Sequence, residues 1–331
     1  MLPGWCFILM LVYGIPSVLL YLILIIQFQL SSMKELFQGA FFKISTALGV
    51  VDILTFVVSY PNLKMPLCTL FADFYLHAIP GFWVNICNFL AYYLNYTRGY
   101  LLVANAANRL TALMFPHKYD YYWSKFLIPV LVICFLLGLP GSYHVLLATP
   151  HIYPFSLSSN DSFILTSTFT LYKVSSSFNG AIQAFVTAMV SLVLNTVSLY
   201  LLRKTIIAKT KKLPRTQIKL FFITLSDFFI EMIWTIHQIW AYTFVVRKDM
   251  YNPIFDILYL IAPWLSDFLS LTRPYIILAL CRQARTIFIN AAEAEKMINM
   301  QSSAIRNSAI PSVSKVTPEV NNFFKFNSKG K

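Results

Sequence analysis

Six ionisable residues stand inside long apolar runs: Asp52, Arg98, Asp227, Glu231, Asp267 and Arg273. Charge is costly in hydrocarbon, so such groups face inward, pair with one another, and mark relays or switches. Counted from the ends of their runs, Asp52, Arg98, Glu231 and Asp267 fall near mid-membrane depth. Their signs suit a mutually neutralising cluster in which Arg98 faces one or more of the carboxylates. Three readings stand side by side. The cluster is an ion-pair network that fixes helix packing, a lock that rearranges when helices shift, or the proton or cation path of a transporter or channel.

A second set of polar groups shares one stretch. From Gly81 to Pro116, Asn85, Asn88, Tyr92, Asn95, Gly99 and Leu102 recur at steps of three or four, which is one face of a helix. The opposite face carries Ile86, Leu90, Leu94 and Leu101. Polar groups facing lipid would go unsatisfied, so the asparagine face must look into the bundle or into a cavity. In the sixth run, Asp227, Glu231, Trp234 and Gln238 form a comparable stripe, with Trp240 in its aromatic outer part. Trp83, Asn85, Asn88, Tyr92, Gln238 and Trp240 therefore become candidates for lining a site for a small, partly apolar ligand. Any single tryptophan or tyrosine here also fits an interfacial aromatic belt. The asparagines have no such use.

These residues need spans to hold them. The 331 residues are 58% hydrophobic and 12% charged, with mean hydropathy +0.65. That balance excludes an ordinary soluble domain and marks a multi-pass protein of the lipid bilayer. Seven spans are predicted at about 5–28, 39–60, 81–109, 126–148, 179–202, 218–246 and 254–281. The first is too long and lacks the charged start of a secretory signal, so it reads as a span. Residues 1–281 thus form an all-α seven-helix membrane domain, and 282–331 a polar, basic, mostly disordered tail.

The net charge of +13 is not a nucleic-acid signal, because all the lysines and arginines but Arg98 and Arg273 lie between the spans, at their ends and in the tail. Twenty lysines and arginines fall on one side and four (Lys64, Lys173, Arg247, Lys248) on the other. The positive-inside rule then puts the amino terminus outside and the tail in the cytoplasm. Asn160-Asp161-Ser162 becomes an extracellular glycosylation sequon, while Asn95-Tyr96-Thr97 would be out of reach within a span. Arg109 ends the third span on the cytoplasmic side. Beside it a basic-aromatic loop, and the loop with Lys211, Lys212 and Arg215, suit anionic lipid or an acidic partner. Cys281 stands where acylation can occur. The five cysteines form no metal pattern, and no hydrolase, P-loop or iron motif is present, so neither enzyme nor cofactor is expected.

Three stretches carry a family likeness: Asn108-Arg109-Leu110-Thr111-Ala112 through Pro116 to Trp123, Leu139-Pro140-Gly141, and Ser266-Asp267-Phe268-Leu269-Ser270 leading to Pro274-Tyr275. With the spacing of the spans, the chain resembles the nematode serpentine receptors of class gamma. That resemblance implies a rhodopsin-like receptor architecture, a chemical cue as ligand, and signalling in sensory neurons through a heterotrimeric G protein. It also implies that Asn108-Arg109 and the basic loop residues face that G protein. Two departures stand out. No acidic residue precedes Arg109, so the usual arginine–carboxylate restraint within that motif cannot form. The long loop after the fourth span has no cysteine, so the usual disulfide to the third helix is missing.

Overall fold

A computed structural model describes residues 2–29, 39–154, 162–168, 176–207, 215–247, 253–281 and 284–285. Seven long helices dominate the described chain. They are α1 (Gly4–Gln29), α2 (Ala40–Ser59), α3 (Phe82–Met114), α4 (Tyr119–Ser142), α5 (Ser176–Ile207), α6 (Arg215–Arg247) and α7 (Pro253–Leu280). All but α3 are long and apolar enough to cross a bilayer by length and composition. At 33 residues α3 is long enough, but its asparagines and Arg98 lower its hydropathy. It packs against α2, α4, α5 and α6, so those polar groups are covered by helices rather than lipid.

The apolar residues are arranged as a lipid solvent requires. On α1, Cys6, Met10, Gly14, Ser17, Tyr21, Leu24 and Phe28 recur at helical spacing and are buried, whereas Trp5, Ile8, Val12, Ile15 and Leu19 point outward. Small residues set the closest approaches. A Cβ at Gly138 would lie 2.5 Å from Thr97 Oγ1, and one at Gly141 would lie 2.7 Å from the Tyr96 ring. The Leu139-Pro140-Gly141 stretch is thus the seam where α4 meets α3. α1 bridges α2 and α7, α7 packs on α6, and α6 on α5.

Two elements depart from expectation. The second span does not stop at Tyr60. It continues through a π-helical turn, Tyr60–Lys64, into Met65–Leu67. Pro61 has no N–H to donate, and the ladder widens rather than ends. The loop after the fourth span is not wholly irregular either. β1 (Thr149–Pro154) pairs antiparallel with β2 (Phe163–Thr168), and alternate residues Phe163 and Leu165 are buried with Tyr75 and Val84. Tyr75, on the short helix Ala72–His77, donates its hydroxyl to the Pro61 carbonyl at 2.9 Å. Burial pushes that phenol above its ordinary range, which keeps it a donor.

Candidate functional site

Arg98, mid-way along α3, joins four helices. Its Nε donates to Asp52 Oδ1 at 2.8 Å, its Nη1 to Glu231 Oε2, and its Nη2 to the Leu269 carbonyl at 2.9 Å. Tyr21 of α1 donates to the other Asp52 oxygen at 2.7 Å. All three charged residues are buried. One turn from Glu231, Asp227 accepts from Arg273 Nη1 of α7 at 2.6 Å, and Arg273 Nη2 reaches Ser45 Oγ of α2 at 3.1 Å. Of the alternatives open for Arg98, Asp52 and Glu231 are its partners. Asp267 belongs elsewhere.

Asp267 Oδ1 lies 2.6 Å from Lys64 Nζ, and Tyr13 donates its hydroxyl to Oδ2. The Lys64 ammonium also lies 4.0 Å from the centroids of both Phe56 and Tyr60. Lys64 is fully buried. Four buried carboxylates (Asp52, Asp227, Glu231, Asp267) therefore share three buried cations (Lys64, Arg98, Arg273) in these ion pairs, apart from Asp256 and Arg109, which are buried elsewhere among the described residues. The uneven share falls on Arg98, which holds two carboxylates from two different helices.

The six outer candidates do not all meet. Asn85 donates to the Ala148 carbonyl at 2.7 Å, and Trp83 Nε1 to the Ile79 carbonyl at 3.2 Å, so both tie α3 to loop backbone. Asn88 is buried and Tyr92 half-buried, with the Tyr92 and Tyr96 rings 6.1 Å apart. Gln238 is half-buried, and Trp240 is 49% exposed. Two further groups stand on α3 and α6: Tyr96, which the sequence did not single out, and Trp234 of the α6 stripe. The Tyr96 hydroxyl and the Trp234 indole N–H are buried with no hydrogen-bonding partner among the described residues. Trp234 stacks on His237, whose Nε2 lies 3.0 Å from the Leu258 carbonyl.

At the other end Arg109 is folded inward. Its Nε donates to Asn108 Oδ1 at 3.1 Å, its Nη2 donates to Asn108 Oδ1 and to Tyr119 Oη (3.2 Å to the latter), and its guanidinium lies 4.6 Å from the Phe41 ring centroid. Asn108 Nδ2 donates to the same Tyr119 hydroxyl at 2.9 Å, and Trp123 Nε1 to Thr111 Oγ1 at 2.8 Å. Asn108 and Tyr119 thus take up the restraint that a carboxylate would supply. Lys211, Lys212 and Asn160 lie outside the described residues, and Arg215 is described only as backbone at the start of α6.

The model of the Srg family chemoreceptors matches residues 7–288. The chain belongs to that family. It is a multi-pass membrane chemoreceptor of the serpentine kind, a receptor rather than an enzyme by family. No curated protein matches it. For this chemoreceptor the residues that sequence reasoning missed are instructive. Lys64 reads as a loop lysine only if Pro61 ends the helix. Continued through Pro61, the helix puts Phe56, Tyr60 and Lys64 at steps of four on one face, and that spacing is a readable signal. Tyr13, Tyr21 and Ser45 carry no such mark, because a hydroxyl in an apolar run has many bland explanations.

Proposed function

We propose that this chemoreceptor binds a small chemical from outside and passes a helix shift to a heterotrimeric G protein in the cytoplasm. The amino terminus is then outside and the tail inside. The observation that carries the reading is the sharing of Arg98 between Asp52 on α2 and Glu231 on α6. A shift of α6 exchanges one buried partner without stranding the arginine, the behaviour of a two-state element. Asp227, on the same helix, and Asp267, held by Lys64, set the two arrangements apart. Ligand contacts come from Asn88, Tyr92 and Gln238, joined by Tyr96 and Trp234. Trp83 and Asn85 frame that region through the loops, and Trp240 faces lipid. Coupling runs through Asn108 and Arg109, once freed from Tyr119, with Lys211, Lys212 and Arg215 as the basic partner surface.

The test is G-protein dissociation in cells expressing the receptor, read by energy transfer between labelled subunits while a panel of small chemicals is applied. Arg109→Ala, and separately glutamine at Lys211, Lys212 and Arg215, should abolish the response in receptor that still reaches the surface. An unchanged response in both variants overturns the coupling assignment. Proton or solute flux by the purified chain in liposomes, without G protein, would favour the transporter reading instead.

A further inference from the structure

The usual disulfide of the outer face is missing, yet the structure laces its outer face together elsewhere. Leu2 donates its N–H to the Leu67 carbonyl at 3.0 Å, Thr69 donates back to the Leu2 carbonyl at 3.4 Å, and Leu2 pairs with Cys68 in an isolated bridge. Gly4 abuts the Leu70 side chain, and Phe7 packs edge-on against Phe71 with centroids 5.0 Å apart. The first turn of α1 is thus pressed along residues 67–71. Cys6 and Cys68 are both buried in this seam as free thiols, Cys6 packed in one apolar cluster with Leu2 and Leu67 and Cys68 bridged to that same Leu2. The other three cysteines lie apart. Cys87 is on α3, Cys134 on α4, and Cys281 follows α7 at the opposite end.

We propose that Cys6 and Cys68 form a disulfide that staples the first turn of α1 to the end of α2. The inference rests on the topology given above, which places both residues on the oxidising side of the membrane. The chemistry is thiol–disulfide exchange during folding. The thiolate of one cysteine attacks a disulfide of the lumenal pool, oxidised glutathione or an oxidoreductase, and forms a mixed disulfide. The second thiolate then displaces it. The chain loses two protons and two electrons, and the lumenal disulfide leaves as two thiols. Both cysteines are buried in the folded chain, so the bond forms before the seam closes and afterwards resists reduction. Its consequence reaches the candidate site, because residues 60–67 of the same helix hold Lys64 against Asp267. Fixing the outer end of α2 fixes that ammonium.

The experiment uses the full chain made in eukaryotic membranes, denatured without reductant and treated with a light maleimide, then reduced and treated with a heavy one. Peptide mass spectrometry should find the heavy label on Cys6 and Cys68 and the light label on Cys87 and Cys134. In Cys6→Ser, Cys68 should switch to the light label, and Cys68→Ser should do the same to Cys6. A carboxy-terminal tag is scored in parallel on intact and permeabilised cells. Light label on both cysteines, with the tag reached only after permeabilisation, overturns the disulfide and leaves the receptor reading standing. A tag reached on intact cells overturns the topology, and the disulfide with it.

Discussion

Arg98 illustrates how a single residue sets both stability and response. Removing it as Arg98→Met leaves Asp52 and Glu231 buried without their cation, and breaking a buried pair in this way costs about 3–5 kcal/mol. The expected outcome is a sharp loss of folded receptor, read by thermal melting on size-exclusion chromatography. Glu231→Gln is milder, because Arg98 keeps Asp52 and the amide still accepts a hydrogen bond. It should leave folding largely intact and raise ligand-independent signalling, and no rise in basal G-protein dissociation would argue against a lock. At the inner end Tyr119→Phe removes a hydroxyl shared by Arg109 and Asn108, a loss of about 1.5–3 kcal/mol for a hydrogen bond to a charged group. That too should raise basal signalling, with surface expression as the control. Asp52, Arg98 and Glu231 were legible in the sequence because a charge inside an apolar run has few bland explanations. Tyr119 was not legible. Its role depends on where α4 begins relative to Asn108, and no local pattern reveals that.

At the scale of the element, the close approach of α3 and α4 rests on glycine. A methyl at Gly138 meets Thr97 and Tyr93, and one at Gly141 meets the Tyr96 ring, so neither helix gives way without moving the other. Gly141→Ala should cost about 1–3 kcal/mol by overpacking, read as a lower melting temperature. Since Tyr96 is also a proposed ligand contact, the same variant should weaken the response to any active chemical more than it weakens surface expression. The long helices themselves were readable, since runs of apolar residues carry their lengths openly. Their ends were harder. Pro61 reads as a terminator, yet α2 passes it by widening one turn, and that choice depends on packing against α1 that lies far away in sequence. The hairpin β1–β2 was hidden for a related reason. One six-residue strand carries Pro150 and Pro154 and the other ends in Thr166-Ser167-Thr168, so their alternation is weak, and it is Phe163 and Leu165, with Ile152, reaching Tyr75 and Val84 that give the pair a buried face.

For the whole molecule, the question is whether the buried charges hold the bundle together or hold it in one state. The pair Lys64–Asp267 separates these, because it joins α1, α2 and α7 without touching the Arg98 set. Lys64→Met alone leaves Asp267 buried beside Tyr13 with no cation, and should destabilise the receptor by about 3–5 kcal/mol. The double variant, Lys64→Met with Asp267→Leu, replaces the pair by apolar side chains of similar size. Such replacements are often neutral or stabilising, so melting should return to the native range. Signalling decides the rest. If the pair only supports packing, the double variant responds as the native receptor does. If the pair fixes the relation of α7 to α2 that the Arg98 lock depends on, the double variant folds normally yet signals without ligand. The second outcome is expected, because Arg98 also bonds the Leu269 carbonyl, two residues beyond Asp267 on α7. A shift of α7 released at Asp267 is therefore felt directly at Arg98.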